Sequence, residues 1–473
     1  MDNSTIAAIA TPLSAGGVGV IRISGTLSLD ILLTVFRPYR RPQENDHENN
    51  PAFLSASTIH SHRFYHGYIV DNDQLIDEVM VVFMRSPRSY TGEDVVEIQA
   101  HSGPLVLRTI MMLLIQSGAR MAGPGEFTRR AFLNGKMDLT QAEAVADIID
   151  ARTKQALDIA VNQSAGRLKS EICAIKELFV DTLVEIEAAI DFSDKTDGSM
   201  PGSEIITALQ TGADRLKNLI KNHNDFSWRR TGVRVALVGA PNVGKSTLLN
   251  TFLGRERAIV APTPGTTRDF IEETICLEGI SFVFTDTAGL RNQTGDELEI
   301  TGMERTRQVL SDADAVVFMV DASEGISDND REILDTLCNK NPIIVANKAD
   351  LSRSSDFLFP SRWAEAFSVL KISALKGGGL DTLKALLVGR FNEQLPTKTD
   401  ADNNLLPNLR HKQSLDKAFQ YVTSALTAHA EKIPEDFIAM DLRAAIDALN
   451  EITGHTTGAD VLDNIFSRFC IGK

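Results

Sequence analysis

At residues 239–246 the chain contains Gly239-Ala-Pro-Asn-Val-Gly-Lys-Ser246, which fits the pattern G-x-x-x-x-G-K-[ST]. The stretch directly follows a β-rich run, 233–238, and precedes a helical pattern, as the motif requires. Its glycines let backbone N–H groups wrap phosphates, Lys245 neutralises the terminal phosphates, and the Ser246 hydroxyl suits Mg²⁺. The motif predicts a nucleoside triphosphate site and leaves ATP and GTP both open.

A second motif, Asp286-Thr-Ala-Gly289, follows the β-rich run 281–285. The carboxylate of Asp286 can reach the Mg²⁺ shell, and the amide of Gly289 can sense the γ-phosphate. Between the two motifs lies Thr266-Thr-Arg-Asp269, where a switch loop would be expected. The predicted site therefore includes the metal ion as well as the phosphates.

Two later motifs indicate the base. Asn347-Lys-Ala-Asp350 follows a strand pattern, and the Asp350 carboxylate can accept hydrogen bonds from guanine N1–H and the exocyclic amine. Adenine offers no such pair of donors. Ser373-Ala-Leu375 follows the next strand pattern and suits the loop that contacts guanine O6. Four ordered motifs predict GTP binding and resemble those of the translation-factor-related GTPases.

The sequence pattern changes several times along the chain. Short β-rich runs and one helix alternate in the first part, which indicates an α+β domain. Residues 139–190 contain an apolar stripe at helical period and predict long helix. From 233 to 391 apolar strands alternate with amphipathic helices, which predicts a parallel sheet covered by helices. Helical patterns return after the polar stretch 392–407.

These changes predict a multidomain fold. We expect an N-terminal α+β domain at 1–126, and a discontinuous α-helical domain at 127–230 and 393–473. Between the helical parts, at 231–392, we expect an inserted Ras-like α/β GTPase domain that contains the P-loop. Insertion is geometrically easy because the termini of a domain often lie close together.

The charge balance limits the partners. The 473 residues include 48 Lys and Arg against 63 Asp and Glu, a formal net charge of −15. This balance argues against a protein that grips nucleic acid or anionic lipid over its whole surface. Local basic patches remain possible, such as Arg129-Arg130 or Arg229-Arg230.

The four cysteines, Cys173, Cys276, Cys338 and Cys470, are widely scattered. Their spacing supports neither a disulfide framework nor a zinc site. The N-terminus has no signal-peptide pattern, and no apolar run is long enough to span a membrane. We therefore expect a cytoplasmic protein.

The group that drives hydrolysis is less evident. Ras-like enzymes place a glutamine directly after the second motif to orient the attacking water, but here that position is Leu290. The nearby acidic candidates are Asp296, Glu297 and Glu299. Asn242 in the phosphate loop is either a turn former or a ligand that presents an oxygen to a monovalent cation.

The terminal run Phe469-Cys-Ile-Gly-Lys473 is the most distinctive feature of the chain. Together with the GTP motifs, the glycine-rich run 16–25 and the segments 90–94 and 123–128, it resembles the MnmE (TrmE) family of tRNA modification GTPases. The resemblance covers essentially the whole chain. It implies homodimerisation through the N-terminal domain and a heterotetramer with the flavoprotein MnmG, which would hold the FAD.

The resemblance also implies the reaction. Such proteins add a carboxymethylaminomethyl or aminomethyl group at C5 of the wobble uridine of certain tRNAs, with the methylene carbon taken from 5-formyl- or methylene-tetrahydrofolate. By matching motif, the resemblance implies that Arg22, Glu97, Lys136 and Lys473 line the folate pocket. The cations would suit the glutamate carboxylates, and a carboxylate can hold the pterin N–H edge. Cys470 would lie near the one-carbon unit; otherwise it is a small buried residue.

In the GTPase domain the resemblance implies that K⁺ brings two G domains together for hydrolysis. Asn242 would bind K⁺ with carbonyls of the following loop, at Ala261, Thr263 and Thr266, and Thr267 would join Ser246 on Mg²⁺. The family's water-positioning glutamate would be Glu299 when the alignment is anchored on Gly302-Met-Glu-Arg. Anchoring on the second motif would select Leu298, which cannot serve, and Glu297 is the second choice. The predicted GTP-binding set is Asn242, Val243, Gly244, Lys245, Ser246, Thr247, Ala261, Pro262, Thr263, Pro264, Gly265, Thr266, Thr267, Asp286, Thr287, Ala288, Gly289, Asn347, Lys348, Asp350, Ser373, Ala374 and Leu375.

A second function class remains open at the level of sequence. The GTP motifs alone also fit a regulatory switch, for instance in ribosome assembly, whose output is binding rather than chemistry. Reduced-folate binding and the role of the terminal Lys473 separate the two hypotheses.

Overall fold

The computed structural model describes residues 4–14, 16–39, 59–191, 203–255, 272–286, 307–351, 363, 365–392 and 405–473. The chain divides into two units. The first unit comprises Met1–Ala146, Lys169–Lys176 and Arg443–Lys473, and the second comprises Asp147–Leu168 and Glu177–Leu442.

The first unit contains a seven-stranded sheet in the order β3-β4-β5-β6-β2-β1-β7. The strands are β1 (Ile6–Ile9), β2 (Val18–Ser24), β3 (Phe36–Pro38), β4 (Phe64–Asp71), β5 (Gln74–Met84), β6 (Val95–His101) and β7 (Arg120–Met121). All neighbours pair antiparallel except β1 and β7, which pair parallel. The polar composition of 37–51 predicts an exposed loop, but Arg37 and Pro38 belong to β3.

One face of this sheet is covered by α1 (Ser28–Val35) and α2 (Pro104–Gln116). Alternate residues of the strands, such as Ile21 and Ile98, pack with Leu107 and Ile110 of α2 in one apolar cluster. The opposite positions on the same strands, Arg22 and Glu97 among them, are left for other contacts because strand side chains alternate between faces.

Four further helices contribute to the first unit or continue out of it: α3 (Glu126–Leu133), α4 (Leu139–Asp150), α13 (Glu435–Thr453) and α14 (Ala459–Ser467). Leu139 and Ala142 of α4 form an apolar cluster with Leu462, Phe466 and Phe469. This cluster anchors the segment that leads into the last four residues of the chain.

The second unit contains a six-stranded sheet in the order β13-β12-β11-β8-β10-β9. The strands are β8 (Val233–Val238), β9 (Glu272–Leu277), β10 (Ile280–Asp286), β11 (Ala315–Asp321), β12 (Ile343–Asn347) and β13 (Val369–Lys371). All residues of β11 and β12 are buried, as is typical of parallel strands covered on both faces. The predicted all-parallel sheet needs one correction, because β9 pairs antiparallel with β10 through a two-residue turn.

The other described helices that lie wholly or partly in this unit are α5 (Lys154–Ser164), α6 (Arg167–Asp191), α7 (Ser203–Phe226), α8 (Trp228–Thr231), α9 (Lys245–Arg255), α10 (Asp328–Leu337), α11 (Leu380–Asn392) and α12 (Leu409–Ala430). The long helix predicted over 139–190 is three helices. Thr153 caps α5 by accepting a hydrogen bond from the Ala156 amide, and Gly166, with φ of 81°, separates α5 from α6.

Helices that precede and follow the six-stranded sheet in the sequence meet within the second unit. His223 of α7 donates from Nδ1 to the Pro407 carbonyl oxygen over 2.7 Å, just before α12, which packs on α7. This contact is what an inserted α/β domain requires, and the three predicted domain boundaries stay a prediction. None of the described helices combines the length and the apolar character that a membrane crossing requires.

Candidate functional site

The phosphate loop leaves the buried strand β8 and depends on two glycines. Gly239 has φ of 152°, and a Cβ there would lie 2.3 Å from the Met319 carbonyl oxygen. Gly244 has φ of 100°, and its Cβ would lie 2.2 Å from Nδ2 of Asn347. Side chains at either position would force backbone or buried polar groups apart, so the close path of the loop requires glycine.

Lys245 begins α9, directly after this loop. Its side chain is buried, and Nζ donates to the carbonyl oxygens of Gly239 and Ala240, each over 2.8 Å. The ammonium charge is thus held at the rim of the loop, where helix-start amides also favour an anion. The arrangement suits the terminal phosphates of a nucleotide.

The Mg²⁺ candidates come from two neighbouring parallel strands. β8 leads to Ser246 and β10 ends at Asp286, and the Ser246 hydroxyl lies 3.4 Å from Oδ2 of Asp286. A hydroxyl and a carboxylate oxygen are hard ligands of the kind that Mg²⁺ takes beside phosphate oxygens and water. The two residues fit the ion. Within the described ranges no three His, Cys, Asp or Glu residues form a metal cage.

Asn347 joins the two ends of the nucleotide site. Its side chain is 2% exposed. Nδ2 donates to the Val243 carbonyl oxygen over 2.8 Å, and Oδ1 accepts from the Ala374 amide over 2.9 Å. One buried amide therefore ties the phosphate loop to the loop after β13.

The side chain of Asp350 is an ionised acceptor at the base end. A hydrogen bond from Ser373 lowers the pKa of Asp350, and Lys376, whose Nζ lies 3.3 Å from Oδ2, acts in the same direction. The carboxylate is therefore charged at neutral pH and can accept from guanine. Leu375 is 78% exposed, so its side chain contributes no packing here.

Lys348 adopts a left-handed conformation, φ 60°, and its ammonium lies 2.5 Å from Oδ2 of Asp321, the last residue of β11. Burial raises the pKa of Asp321, but hydrogen bonds from Lys348 and Ser323 outweigh it and hold that pKa below its ordinary value. The sequence patterns did not single out Asp321. Its position at the carboxyl end of a wholly apolar strand was the available signal.

Several predicted residues lie outside the described ranges: Ala261, Pro262, Thr263, Pro264, Gly265, Thr266, Thr267, Thr287, Ala288, Gly289 and Glu299, together with Glu297 and Leu298. Their roles stay predictions. Asn242 is described, and it adopts φ of 62°, a conformation that asparagine tolerates better than most residues.

The predicted ligand site of the first unit begins at Arg22 and Glu97. These residues stand directly opposite each other on β2 and β6. Arg22 donates from Nε to Oε1 of Glu97 over 2.8 Å, and Nη2 lies 2.8 Å from the same oxygen. The guanidinium also lies over the rings of Tyr90, at 5.2 Å, and Phe127, at 5.7 Å.

The last four residues of the chain reach the same place. Arg22 donates from Nη1 to the Gly472 carbonyl oxygen over 3.4 Å, and the Phe127 amide donates to the Lys473 carbonyl oxygen over 3.2 Å. Gly472 has φ of 98°, and a Cβ there would lie 2.8 Å from the Ile9 carbonyl oxygen. Cys470 is exposed, so the alternative of a small buried residue is wrong.

Lys136 has a different contact. Its Nζ donates to the Pro87 carbonyl oxygen over 2.9 Å, on the loop that also holds Tyr90. The structure therefore brings Arg22, Glu97 and the terminal residues together directly, and it relates Lys136 to them through the loop 87–92.

Three of the four arginines in the two predicted basic patches form internal ion pairs, and the fourth, Arg229, is partly buried. Arg130 is 8% exposed and pairs with Glu93 and Glu126, and Arg129 lies 2.9 Å from Oδ1 of Asp463. In the other pair, Arg230 forms an ion pair with Asp147, and burial lowers the pKa of Arg229. Neither pair is an open cationic surface.

The phosphate loop, the paired Ser246 and Asp286 and the acceptor at Asp350 define a P-loop GTPase with an additional α+β unit. The sequence model described as GTP-binding protein TrmE N-terminus matches residues 5–136, and the one described as MnmE helical domain matches residues 139–470. The chain belongs to the MnmE family.

Relatives agree over the full length. The tRNA modification GTPase MnmE of Syntrophus aciditrophicus (strain SB) is 42% identical over 481 residues, which cover 100% of both chains. The protein of that name from Thermotoga maritima is 39% identical over 470 residues, or 99% of this chain and 100% of the relative. The predicted family, fold class and enzyme class, a tRNA modification GTPase, are confirmed.

Among solved structures, Era of Aquifex aeolicus bound to GDP and AlF4⁻ is 32% identical. The match covers 40% of this chain and 67% of that chain, with a TM-score of 0.28. A TM-score that low adds nothing to the assignment.

Proposed function

We propose that this chain hydrolyses GTP in a cytoplasmic reaction that modifies the wobble uridine of certain tRNAs. With an MnmG-like, FAD-containing flavoprotein it adds a carboxymethylaminomethyl or aminomethyl group at C5, using a folate one-carbon unit. The observation that carries the proposal is the contact between Arg22, paired with Glu97, and the terminal Gly472. This contact lies in the first unit, whereas the GTP motifs belong to the second.

GTP binding in the proposed function rests on charged and polar side chains of the second unit. Asp350 accepts from the guanine edge, and Asn347 holds the loops at both ends of the nucleotide in register. Lys245 neutralises the terminal phosphates. Ser246, Asp286 and Thr267 hold Mg²⁺, which when bound offsets the negative charge of the β- and γ-phosphates.

Hydrolysis needs a group that Leu290 cannot supply. We assign the orientation of the attacking water to Glu299. Asn242, with carbonyls of Ala261, Thr263 and Thr266, holds K⁺, which when bound supplies positive charge beside the phosphates. Bound K⁺ would bring the two G domains of a homodimer together for hydrolysis.

Folate binding in the proposed function rests on residues of the first unit. Arg22 and Glu97 neutralise each other, so net positive charge for the glutamate carboxylates of the ligand comes from Lys136 and Lys473. Glu97 keeps a second carboxylate oxygen for the pterin N–H edge. The thiol of Cys470 is exposed to solvent and is our candidate for a role at the one-carbon unit.

The tRNA is held mainly by the partner. A chain with net charge −15 is unsuited to a broad phosphate-binding surface, and Arg129, Arg130 and Arg230 already form ion pairs within the chain. We therefore assign most of the tRNA affinity to a basic surface of the MnmG-like protein in a heterotetramer.

The decisive experiment is mass spectrometry of wobble uridines in cells that lack this protein. We expect loss of the C5 modification, and its return with the wild-type gene. An unchanged nucleoside profile would overturn the proposal. The regulatory switch gains support if, in addition, the purified chain has no affinity for reduced folates and deletion of Lys473 changes nothing.

A further inference from the structure

Arg130, on α3, is a buried cation with three separate acceptors. Nη1 donates to Oε2 of Glu93 over 3.0 Å. Nη2 donates to Oε1 of Glu126 over 3.0 Å and to the Ser4 carbonyl oxygen over 2.9 Å. Because a planar guanidinium fixes the directions of its N–H bonds, these contacts set the mutual positions of three chain segments.

Glu126 connects Arg130 to Gly123, three residues earlier in the chain. Its Oε2 accepts from the Gly123 amide over 2.8 Å, while its Oε1 also accepts from Nη2 of Arg120 over 2.7 Å. Burial raises the pKa of Glu126, but hydrogen bonds from Arg120, Gly123 and Arg130 outweigh it and lower that pKa overall. The carboxylate is therefore ionised and fully engaged. It holds the start of residues 123–127, the turn before α3 and the first two residues of that helix, which we call the loop 123–127.

The loop 123–127 receives the terminal residues, which we call the tail (470–473). The Gly125 amide donates to the Cys470 carbonyl oxygen over 3.4 Å, the Phe127 amide donates to the Lys473 carbonyl oxygen over 3.2 Å, and Pro124 forms a β-bridge with Ile471. Every one of these contacts is made by backbone, so the position of the tail follows the position of the loop.

We propose that Arg130, acting through Glu126, is a positioning residue that holds the loop 123–127 in the form that docks the tail beside Arg22. Glu93 links the same guanidinium to β2, because its Oε2 also accepts from the Ser24 hydroxyl over 2.7 Å. One cation thus joins β2, the strand of Arg22, to the loop 123–127 that binds the tail. The docking role is independent of the ligand; only its consequence for folate rests on the proposed function.

The test uses the full-length chain and hydrogen exchange at the Gly125 and Phe127 amides, with a chain lacking residues 470–473 as the undocked reference. In Arg130→Gln and Glu126→Gln we expect these two amides to exchange faster, toward the undocked reference. One hydrogen bond to a charged group corresponds to on the order of tenfold in an opening equilibrium. Arg130→Lys should restore part of the protection, because it keeps the charge without the fork.

Arg129→Gln is the matched control, since it removes the neighbouring arginine and an exposed ion pair to Asp463. It should leave both amides protected. GTP affinity should be unchanged in every variant, which shows that the second unit is intact. If Arg130→Gln does not fold, Glu126→Gln carries the test, because it keeps the side-chain shape.

Wild-type protection at Gly125 and Phe127 in both Arg130→Gln and Glu126→Gln overturns the positioning role. A parallel titration with 5-formyl-tetrahydrofolate separates the two proposals. Weaker binding in these variants but not in Arg129→Gln supports the consequence for folate. If the wild type binds no folate, the proposed ligand is wrong, while the exchange data still decide whether Arg130 docks the tail.

Discussion

Asn347 donates from Nδ2 to the carbonyl oxygen of Val243 over 2.8 Å, and this hydrogen bond connects the end of β12 to the phosphate loop. The other end of the same amide accepts from Ala374. The phosphate loop and the loop predicted to contact guanine are therefore structurally coupled, because both depend on one buried side chain.

Replacing this side chain should weaken nucleotide binding as a whole. In Asn347→Ala the Val243 carbonyl and the Ala374 amide lose their partner, at a cost of about 1–3 kcal/mol for each buried polar group left unsatisfied. We expect the affinities for GTP and GDP to fall together by roughly tenfold or more. Equilibrium titration measures this, with the exposed Asn339→Ala as control. A loss confined to GTP would contradict the joining role.

Base selectivity should depend on Asp350. In Asp350→Asn the acceptor for guanine N1–H and the exocyclic amine becomes an amide, and affinity for GTP should fall roughly 10- to 100-fold. Xanthine has a carbonyl where guanine has the amine, so the variant should gain affinity for XTP. Competition between GTP and XTP measures the switch. Asp381→Asn, at the exposed start of α11, should leave the ratio unchanged.

The ion pair between Asp321 and Lys348 should appear in the pH dependence of stability. The folded-state pKa of Asp321 is lowered. Its contribution is therefore present above the unfolded value, about 3.9, and is lost as pH falls through the folded value. Urea unfolding of Asp321→Asn and wild type should differ by about 2 kcal/mol near neutral pH, and the difference should shrink below about pH 4. Asp328→Asn, almost fully exposed, serves as control. A difference that stays constant down to about pH 2 would argue against this origin.

Docking of the tail should require glycine at position 472. Gly472→Ala places a residue at φ of 98° and a Cβ 2.8 Å from the Ile9 carbonyl oxygen, at a cost of about 1–3 kcal/mol. We expect faster exchange at the Phe127 amide and weaker binding of reduced folate, with the melting of the second unit unaffected. Gly458→Ala is the control, because its φ is −65° and a Cβ there meets open space. Equal behaviour of the two variants would refute the requirement.

Hydrolysis should depend on K⁺ and on Glu299. In Glu299→Ala we expect kcat for GTP to fall roughly 100-fold or more, as for loss of a group that positions or activates the nucleophile. GTP affinity should persist, and Glu297→Ala is the paired comparison. Measured in equimolar KCl or NaCl, the wild type should be faster in K⁺. Equal rates in the two salts would count against the role of Asn242.

Much of the second unit could be predicted because its motifs lie at strand ends, where backbone geometry places them without long-range information. Gly239 and Gly244 follow from the steric demands of the loop alone. The antiparallel edge strand β9 was not predicted, although the turn Glu278-Gly279, with both φ values positive, is a hairpin signal. Only the apolar run after this turn, 281–285, was predicted as a strand, within the parallel sheet.

The first unit shows why other features escaped prediction. Arg130 follows Arg129 in an amphipathic segment, and nothing local distinguishes the buried residue from the exposed one. Its partner Glu93 is 37 positions away, and only the fold brings the two together. The same holds for Asn347, whose role as a tie depends on the approach of two distant loops.

The contact between Arg22 and Gly472 joins residues 450 positions apart in the chain. At about 5–20 residues per second, a ribosome needs roughly 20–90 s to add that intervening length. The strands of the first unit thus emerge long before the segment that completes the proposed ligand site, and the entire GTP-binding part is synthesised in between. The contact of Arg22 with Gly472 therefore cannot form until residue 472 has been synthesised, after all of the GTP motifs.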